Sequence, residues 1–416
     1  MTIKVFQGRF VEKVFVGRQP IYRDGVEVFA YELLSRNSEL NRAAFADGDK
    51  ATALLLLNTF IDIGLDQVVG SNLAFVNVTR NFVLSEYCVS LPKDRVVLEV
   101  GDLVVDPPML EALSRLSKAG YSIALDNFFY EDHLQPLVEL ADIVKLDVQA
   151  LDRETIAEQA NALRGFNKKK LLAQKVETHE DYEYCKQLGF DYFQGYFFCK
   201  PQVVSQTTIP GNRLSTLHLL AKLQNPKISI QELEHAVGQD IAISYRILRY
   251  LNSPLHALPR KVESIRHAIT MVGTGLISTW ASLILMEAIE DKPRELMVTA
   301  MVRAHMCQQL GAAMYQPSVD QFFTVGLLSL IDALTDRPMT KALECLPLID
   351  EVKNALLQQD GLMGAALNCV RAYERCDWEN TSCPKLDEPK IREAYLRAVN
   401  WARSVTQELV CESSIR

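Results

Sequence analysis

Side chains that could bind a cation and a phosphate follow the predicted strands in the first half of the chain. Nearly every predicted strand ends in, or is followed by, a residue with an oxygen or a charge: Glu32, Asn77, Glu99, Asp126, Lys145 with Asp147, Gln174 with Glu177, and Gln194. Independent helix caps would favour Ser, Thr, Asp and Asn over this mixture. Three carboxylates and an amide oxygen suit a hard cation such as Mg²⁺, Mn²⁺ or Ca²⁺, and a lysine could offset phosphate charge. The pattern indicates a phosphate-ester site.

One of these positions, Asp126, is followed by Asn127 and two aromatic residues. A carboxylate at the end of a buried strand costs desolvation energy unless it is hydrogen-bonded or binds a cation. Taken alone, however, an Asp-Asn pair favours a turn or a helix cap. The assignment to a site therefore depends on the elements that position the other side chains.

Repeated strand–helix units position these side chains. A turn at Arg23-Asp24-Gly25 joins the first two predicted strands, and near-continuous apolar strands then alternate with helices. The predicted strands are Val14–Ile21, Val26–Tyr31, Leu73–Asn77, Val96–Glu99, Ser122–Leu125, Ile143–Leu146, Leu171–Lys175 and Tyr192–Gln194, and the helices are Asp49–Ile63, Pro108–Ala119, His133–Leu140, Arg153–Gly165 and His179–Leu188. This rhythm predicts an α/β fold with a parallel sheet closed as a (β/α)₈ barrel, whose chemistry lies at the carboxyl ends of the strands.

Length and composition set the broad class of protein. A chain of 416 residues predicts two domains. The net charge of −8 argues against broad binding of nucleic acid or anionic membranes, and the apolar runs are too short to insert in a bilayer. The N-terminus lacks the apolar core of a secretory signal, and nine scattered cysteines without CxxC spacing favour reduced thiols. A cytoplasmic protein is expected.

The segments that carry these residues resemble an EAL domain across roughly the first 205 residues. They are QPI (Gln19–Ile21), ELLSR (Glu32–Arg36), FVNVT (Phe75–Thr79), VLEVGD (Val97–Asp102), IALDNF (Ile123–Phe128), VKLD (Val144–Asp147), AQKVE (Ala173–Glu177) and QGYFF (Gln194–Phe198). EAL domains are modified (β/α)₈ barrels that bind cyclic di-GMP, and active members hydrolyse it to linear pGpG with two divalent cations. The resemblance implies metal ligands at Glu32, Asn77, Glu99 and Asp126, dinucleotide contacts at Gln19 and Arg36, and support of the attacking water and second metal by Lys145 and Gln194.

Several departures from the family pattern affect hydrolysis. Gln174 stands where the family has its general-base glutamate, and an amide cannot take a proton from water. Asn127 replaces a second aspartate at the ligand-binding position that grips the second metal, and Asp102 replaces a glutamate. The glycine-containing loop that follows in the family is rewritten as residues 127–131. Glu177 is retained, but its family role is to anchor that loop. At most one Mg²⁺ or Mn²⁺ ion, weakly bound, is therefore expected.

The second half predicts an all-α domain over residues 206–416, after a linker at Val203–Pro210. Helix follows helix without strand alternation, including one helix predicted over Val319–Leu334. Ile228–Ser253, Ser264–Gly273 and Phe322–Leu334 resemble an HDOD domain, a relative of metal-dependent HD phosphohydrolases that lacks their metal site. Ser329-Leu330 stands in place of the His-Asp pair. His267 and His305 are expected to be hydrogen-bonded structural residues.

Two main functions remain open. The first is a signalling protein with a non-hydrolytic EAL barrel, which binds cyclic di-GMP and reaches a regulatory protein partner through the HDOD domain, as a monomer or a homodimer. The second is an active cyclic-di-GMP phosphodiesterase. A third, minor alternative is a DNA-binding regulator, because Ser229–Asn252 is much like a helix-turn-helix with Arg246 and Arg249 on its second helix. Inward packing of Ile243, Ile247 and Leu251 is the simpler interpretation, and DNA binding is not expected from the acidic chain.

Overall fold

A computed structural model describes most of the chain. The described residues are 16–35, 64–85, 91–197, 228–238, 262–287, 293–344, 346 and 348–410, apart from 26, 102, 167, 168 and 263, together with isolated positions from 219 to 251. The predicted helix Asp49–Ile63, the linker at Val203–Pro210, Arg36, Asp102, Arg246 and Arg249 lie outside these residues.

The first half of the chain forms a closed eight-stranded barrel, as predicted. In chain order the strands are β1 (Val16–Arg23), β2 (Val28–Ser35), β3 (Leu73–Val78), β4 (Val96–Val100), β5 (Ser122–Leu125), β6 (Ile143–Asp147), β7 (Lys170–Gln174) and β8 (Tyr192–Gln194). Strand β1 is antiparallel to both of its neighbours, β2 and β8, whereas the pairs from β2 to β8 are parallel. The barrel is therefore a (β/α)₈ barrel modified at its first strand.

Short helices connect the strands and cover the barrel. They are α1 (Leu65–Val69), α2 (Arg80–Leu84), α3 (Pro107–Lys118), α4 (Gln135–Leu140), α5 (Arg153–Arg164) and α6 (His179–Gln187). Helix α3 shows how local sequence specifies the start of a helix. The Asp106 carboxylate accepts a hydrogen bond from the Met109 amide (2.9 Å), and a proline occupies the first turn. Its buried residues, Met109, Ala112, Leu113 and Leu116, recur at helical spacing and pack on the outside of the sheet.

The described residues of the second half form helices and connecting turns and no strands, as predicted. Its helices are α7 (Ile230–Gly238), α8 (Ile265–Val272), α9 (Thr274–Glu287), α10 (Arg294–Ala313), α11 (Val319–Leu328), α12 (Ile331–Thr335), α13 (Met339–Glu344), α14 (Asp350–Leu357), α15 (Gly361–Glu374) and α16 (Glu388–Val410). One apolar core joins them, and Ile243, Ile247 and Leu251 are buried in it. This inward packing agrees with the simpler of the two interpretations of that segment. None of the helices in the described part of the chain is long and apolar enough to cross a bilayer.

The single helix predicted over Val319–Leu334 is wrong, because the helix breaks at Ser329-Leu330. The Ser329 hydroxyl donates to the carbonyl of Gly326 (2.7 Å), and Leu330 leaves the helical conformation at φ −119° and ψ 15°. A serine hydroxyl that bonds a preceding carbonyl competes with the helical hydrogen bond. The break lies at the two residues, Ser329 and Leu330, that the HDOD resemblance places opposite the His-Asp pair.

The two halves of the molecule contact each other directly. The α15 region packs against β1, and α16 packs against α1. The Tyr31 hydroxyl lies 3.1 Å from the Glu295 carboxylate, and the Arg403 guanidinium bonds the carbonyl of Asp66. This contact brings helical residues to the barrel wall that carries β1.

Candidate functional site

The inside of the barrel is built in two layers that differ by two residues along each strand. The lower layer is apolar and consists of Ile21, Ala30, Phe75, Val97, Ala124, Ile143 and Leu172, with Tyr192 packed against it. Two residues nearer the mouth, the same strands or their ends carry Gln19, Glu32, Asn77, Glu99, Asp126, Lys145, Gln174 and Gln194. Because side chains alternate across a strand with a period of two, an inward apolar residue places its second neighbour inward as well. The polar layer therefore rests on an apolar floor.

Lys145 lies at the centre of the polar layer. Its ammonium is 3.0 Å from Glu32 Oε2 and 3.2 Å from Asp126 Oδ1, and it contacts the carboxylate of Glu99. The side chains of Lys145 and Glu99 are fully buried, and those of Glu32 and Asp126 are 9% and 14% exposed. The carboxylates of Glu32, Glu99 and Asp126 thus form an almost fully buried cage around one lysine.

Three amides of the polar layer donate hydrogen bonds to the carboxylates of the cage. Glu32 accepts from Gln194 Nε2 (2.7 Å) and Asn77 Nδ2 (3.2 Å), and Asp126 accepts from Gln174 Nε2 (2.7 Å). Gln174 therefore acts as a donor that fixes a carboxylate. The three carboxylates outnumber the single ammonium, so the cage attracts cations.

Burial and charge shift the pKa values in the cage in opposite directions. Burial alone would raise the pKa of Glu32, but the Lys145 ammonium and the hydrogen bonds from Gln194, Lys145 and Asn77 lower it overall. Burial, with the nearby charge of Glu32, raises the pKa of Asp126 to about 6. Burial lowers the pKa of Lys145 despite the attraction of Glu32. The two carboxylates are therefore shifted in opposite directions, since the pKa of Glu32 lies below its ordinary value and that of Asp126 lies above it.

Three of the four predicted metal ligands, Glu32, Glu99 and Asp126, surround the ammonium, and Asn77 bonds Glu32. Among the described residues, no three His, Cys, Asp or Glu side chains are arranged as an open metal site. The donor chemistry nevertheless fits one hard cation, because Glu99 Oε2 is buried without a hydrogen-bond partner in the described structure. Glu32, Asn77, Glu99 and Asp126 could hold such an ion only if the Lys145 ammonium moved.

The remaining predicted residues lie around the cage or outside it. Gln19 is half-buried on β1, where it accepts from Gln194 Nε2 (3.3 Å). Asn127 is exposed at φ 46°, and its amide donates to Asp126 Oδ2 (2.9 Å). Glu177 is exposed on the loop after β7 and is not part of the cage. Arg36 is outside the described residues.

The helical half contains a second buried polar cluster, which sequence reasoning missed. Arg303 is 5% exposed and pairs with both carboxylate oxygens of Glu374 at 2.6 and 2.8 Å. It also donates to the Ser329 hydroxyl (3.2 Å). The only local signal was the replacement of His-Asp by Ser329-Leu330, which does not indicate an arginine partner.

The two histidines differ in their surroundings. The His305 ring stacks on Trp401 at 4.7 Å, and its Nδ1 is buried without a partner among the described residues. Burial lowers the pKa of His305 to about 4. The expectation of a hydrogen-bonded His305 is therefore wrong for Nδ1, because aromatic stacking holds the ring. His267 lies in the first turn of α8, and its backbone amide bonds the Ser264 cap (3.1 Å).

Comparisons with known proteins match both halves. A family model described as EAL domain matches residues 79–201, and one described as HDOD domain matches residues 211–336. Uncharacterized protein YuxH of Bacillus subtilis is 33% identical over 94% of this chain and 99% of its own length. Cyclic di-GMP phosphodiesterase CdgJ of Vibrio cholerae is 29% identical over 94% of this chain and 93% of its own.

Solved structures of EAL proteins match part of this chain. An EAL domain protein from Listeria monocytogenes covers 44% of this chain and 87% of its own, at 20% identity and a TM-score of 0.36. A standalone EAL protein from Vibrio cholerae, in its c-di-GMP bound form, covers 46% and 93% at 21% identity and a TM-score of 0.38.

Proposed function

Because the chain belongs to the family of proteins that join an EAL domain to an HDOD domain, we propose that it is a signalling protein whose barrel binds cyclic di-GMP without hydrolysing it. The family match and the relative named as a cyclic di-GMP phosphodiesterase support the ligand. The observation that carries the non-hydrolytic part is the role of Gln174. It stands where the family has its general-base glutamate, and its amide nitrogen donates to Asp126 Oδ1 (2.7 Å).

The residues of the cage suit binding better than turnover. A divalent cation, when bound by Glu32, Asn77, Glu99 and Asp126, would polarise a phosphate oxygen and lower the pKa of water. The Lys145 ammonium already supplies positive charge at that point, but an ammonium does not generate hydroxide at neutral pH. Gln174 directs its amide nitrogen at Asp126 (2.7 Å) and has no basicity with which to accept a proton. We therefore propose that this site binds at most one divalent cation.

The active-phosphodiesterase alternative has a specific observation in its favour. Three of the four predicted metal ligands, Glu32, Glu99 and Asp126, lie around one point, and the fourth, Asn77, bonds Glu32. The relative CdgJ is named for that activity. Under this alternative, Lys145 would leave the carboxylates when an ion enters.

The HDOD half is proposed to bind a regulatory protein, and the domain division is proposed to lie near residue 205.

Two measurements on the purified full chain test the proposal. Calorimetry with cyclic di-GMP, with and without Mn²⁺, should show binding, and a chromatographic assay should show no pGpG. Gln174→Glu alone should remain near background, because residues that act on one step are strongly non-additive. Any recovery of pGpG formation is expected only in the double variant that combines Gln174→Glu with Asn127→Asp. Steady wild-type turnover that is abolished by Glu32→Ala would establish the enzyme instead.

A further inference from the structure

Tyr196 links the barrel mouth to the helical half. It follows β8 by two residues, and its hydroxyl donates to the backbone carbonyl of Glu374 (2.7 Å). The Arg375 guanidinium lies over its ring, 5.6 Å from the centroid. On the barrel side, Gln19 Nε2 lies 3.4 Å from the Tyr196 hydroxyl. One side chain therefore bonds a helical residue and a residue of the polar layer.

The helical end of this link is rigidly held. The carboxylate of Glu374 pairs with two nitrogens of Arg303, which also bonds Ser329. Arg303 lies in the middle of α10, the helix that forms the centre of the helical core. A bidentate arginine pair has a defined geometry, and burial leaves it few alternatives. The carbonyl that Tyr196 bonds is thus fixed in place.

The barrel end of the link reaches the centre of the cage. Gln194 Nε2 lies 3.3 Å from Gln19 Oε1 and 2.7 Å from Glu32 Oε2, and Glu32 in turn pairs with Lys145. Hydrogen bonds and ion pairs, linked at Glu374 through its own covalent bonds, therefore connect Ser329 in the helical half to Lys145 in the barrel. Glu374 lies beyond the segment that matches the HDOD family, residues 211–336.

We propose that Tyr196, held by Glu374 and Arg303, is a positioning residue for Gln19 and Gln194, two amides of the polar layer. Without the Tyr196 hydroxyl, the Gln19 amide loses a partner and can rotate away from the orientation that Gln194 requires. The helical half thereby sets the affinity of the barrel mouth. The inference rests on the proposed binding of cyclic di-GMP at this mouth.

Tyr196→Phe is the direct test, and Tyr184→Phe is its matched control. The Tyr184 hydroxyl also donates to a backbone carbonyl, that of Arg153 (2.6 Å), and the Arg153 guanidinium lies 5.1 Å from its ring centroid. That pair lies on the outer helices of the barrel, away from Gln19. By calorimetry we expect Tyr196→Phe to bind cyclic di-GMP about tenfold more weakly than wild type, the effect of one lost hydrogen bond near a charged group. Tyr184→Phe should bind like wild type, and both variants should melt within a few degrees of each other.

A ligand-free measurement separates this inference from the proposed function. Hydrogen–deuterium exchange should become faster in residues 16–23 and 192–197 of Tyr196→Phe, and not in Tyr184→Phe. If the wild-type chain binds the dinucleotide, an unchanged affinity in Tyr196→Phe overturns the inference. If the wild-type chain does not bind cyclic di-GMP, the proposed function fails, and the exchange measurement alone tests the inference. Unchanged exchange in Tyr196→Phe then overturns the positioning role, and faster exchange supports it.

Discussion

The ammonium of Lys145 lies 3.0 Å from the carboxylate of Glu32 inside the barrel, and both side chains are almost completely removed from water. Such a pair is retained only when attraction and hydrogen bonds offset the cost of desolvating two charges. Glu32 meets this condition with bonds from Asn77 and Gln194. The relationship makes Lys145 the residue on which the stability and the ion binding of the site both depend.

Removal of the buried ammonium should destabilise the barrel. Lys145→Met leaves three carboxylates without their cation, and breaking a buried pair costs about 3–5 kcal/mol. Thermal unfolding should show this loss, and millimolar Mn²⁺ should restore more stability to the variant than to the wild-type chain. Lys170→Met is the control, because its pair with Asp191 is exposed (Lys170 side chain 54%) and should cost less than about 1 kcal/mol. Equal stability of both variants would contradict the central position of Lys145.

Glu295 should make stability depend on pH. Burial, with the charge of Glu374, raises the pKa of Glu295 from 4.5 to about 7, although Arg18 and the Tyr31 hydrogen bond oppose the rise. The folded state therefore binds more protons than the unfolded state between these values, so this group's contribution to stability falls as pH rises from about 4.5 to 7.

Glu295→Gln isolates that contribution, since the other titrating groups are common to both proteins. The unfolding free energy of the variant relative to wild type should increase by roughly 2 kcal/mol across the window, measured by urea denaturation at several pH values. Parallel curves for the two proteins would show that Glu295 does not titrate in this range.

Gly17 should not tolerate a side chain, because β1 meets the helical half there. A Cβ at this position would lie 2.5 Å from Cys376 Sγ. Gly17→Ala should lower the unfolding free energy by about 1–3 kcal/mol, as overpacking does. Adding Cys376→Ala should recover part of that loss, because it removes the clashing sulfur. A double-mutant cycle measures this coupling, and strict additivity would place the two residues out of contact.

Gly326 should be more sensitive than Gly17, because a Cβ there meets backbone atoms of another helix. Its Cβ would lie 2.4 Å from the carbonyl oxygen of Arg303, so α10 and α11 approach each other backbone to backbone. Gly326→Ala should cost about 3 kcal/mol or fail to fold. Gly238→Ala, where a Cβ meets nothing within 4 Å, should be neutral or slightly stabilising. Similar melting temperatures for the two variants would contradict this packing.

Local pattern predicted much of the fold. Strand β5 was predicted at its observed limits, Ser122–Leu125, and β8 at Tyr192–Gln194. A short apolar run followed by a polar side chain specifies both a buried strand and its end, because the period of two is local. The same period specifies that Glu32, Glu99 and Lys145 share the inward face with residues of the apolar floor. The order of strands and helices then implies a closed parallel barrel.

Contacts between residues far apart in sequence were decided only by the tertiary structure. Lys145 and Glu32 are 113 positions apart, and Tyr196 and Glu374 are 178 apart. The ammonium lies among the carboxylates because closure of the barrel brings the ends of β2, β4, β5 and β6 to one point, which no single strand encodes. The bond from Arg303 to the Ser329 hydroxyl likewise joins two residues that are 26 positions apart. Sequence determined which chemical groups face the mouth, whereas barrel closure and domain packing decided which of them bond each other.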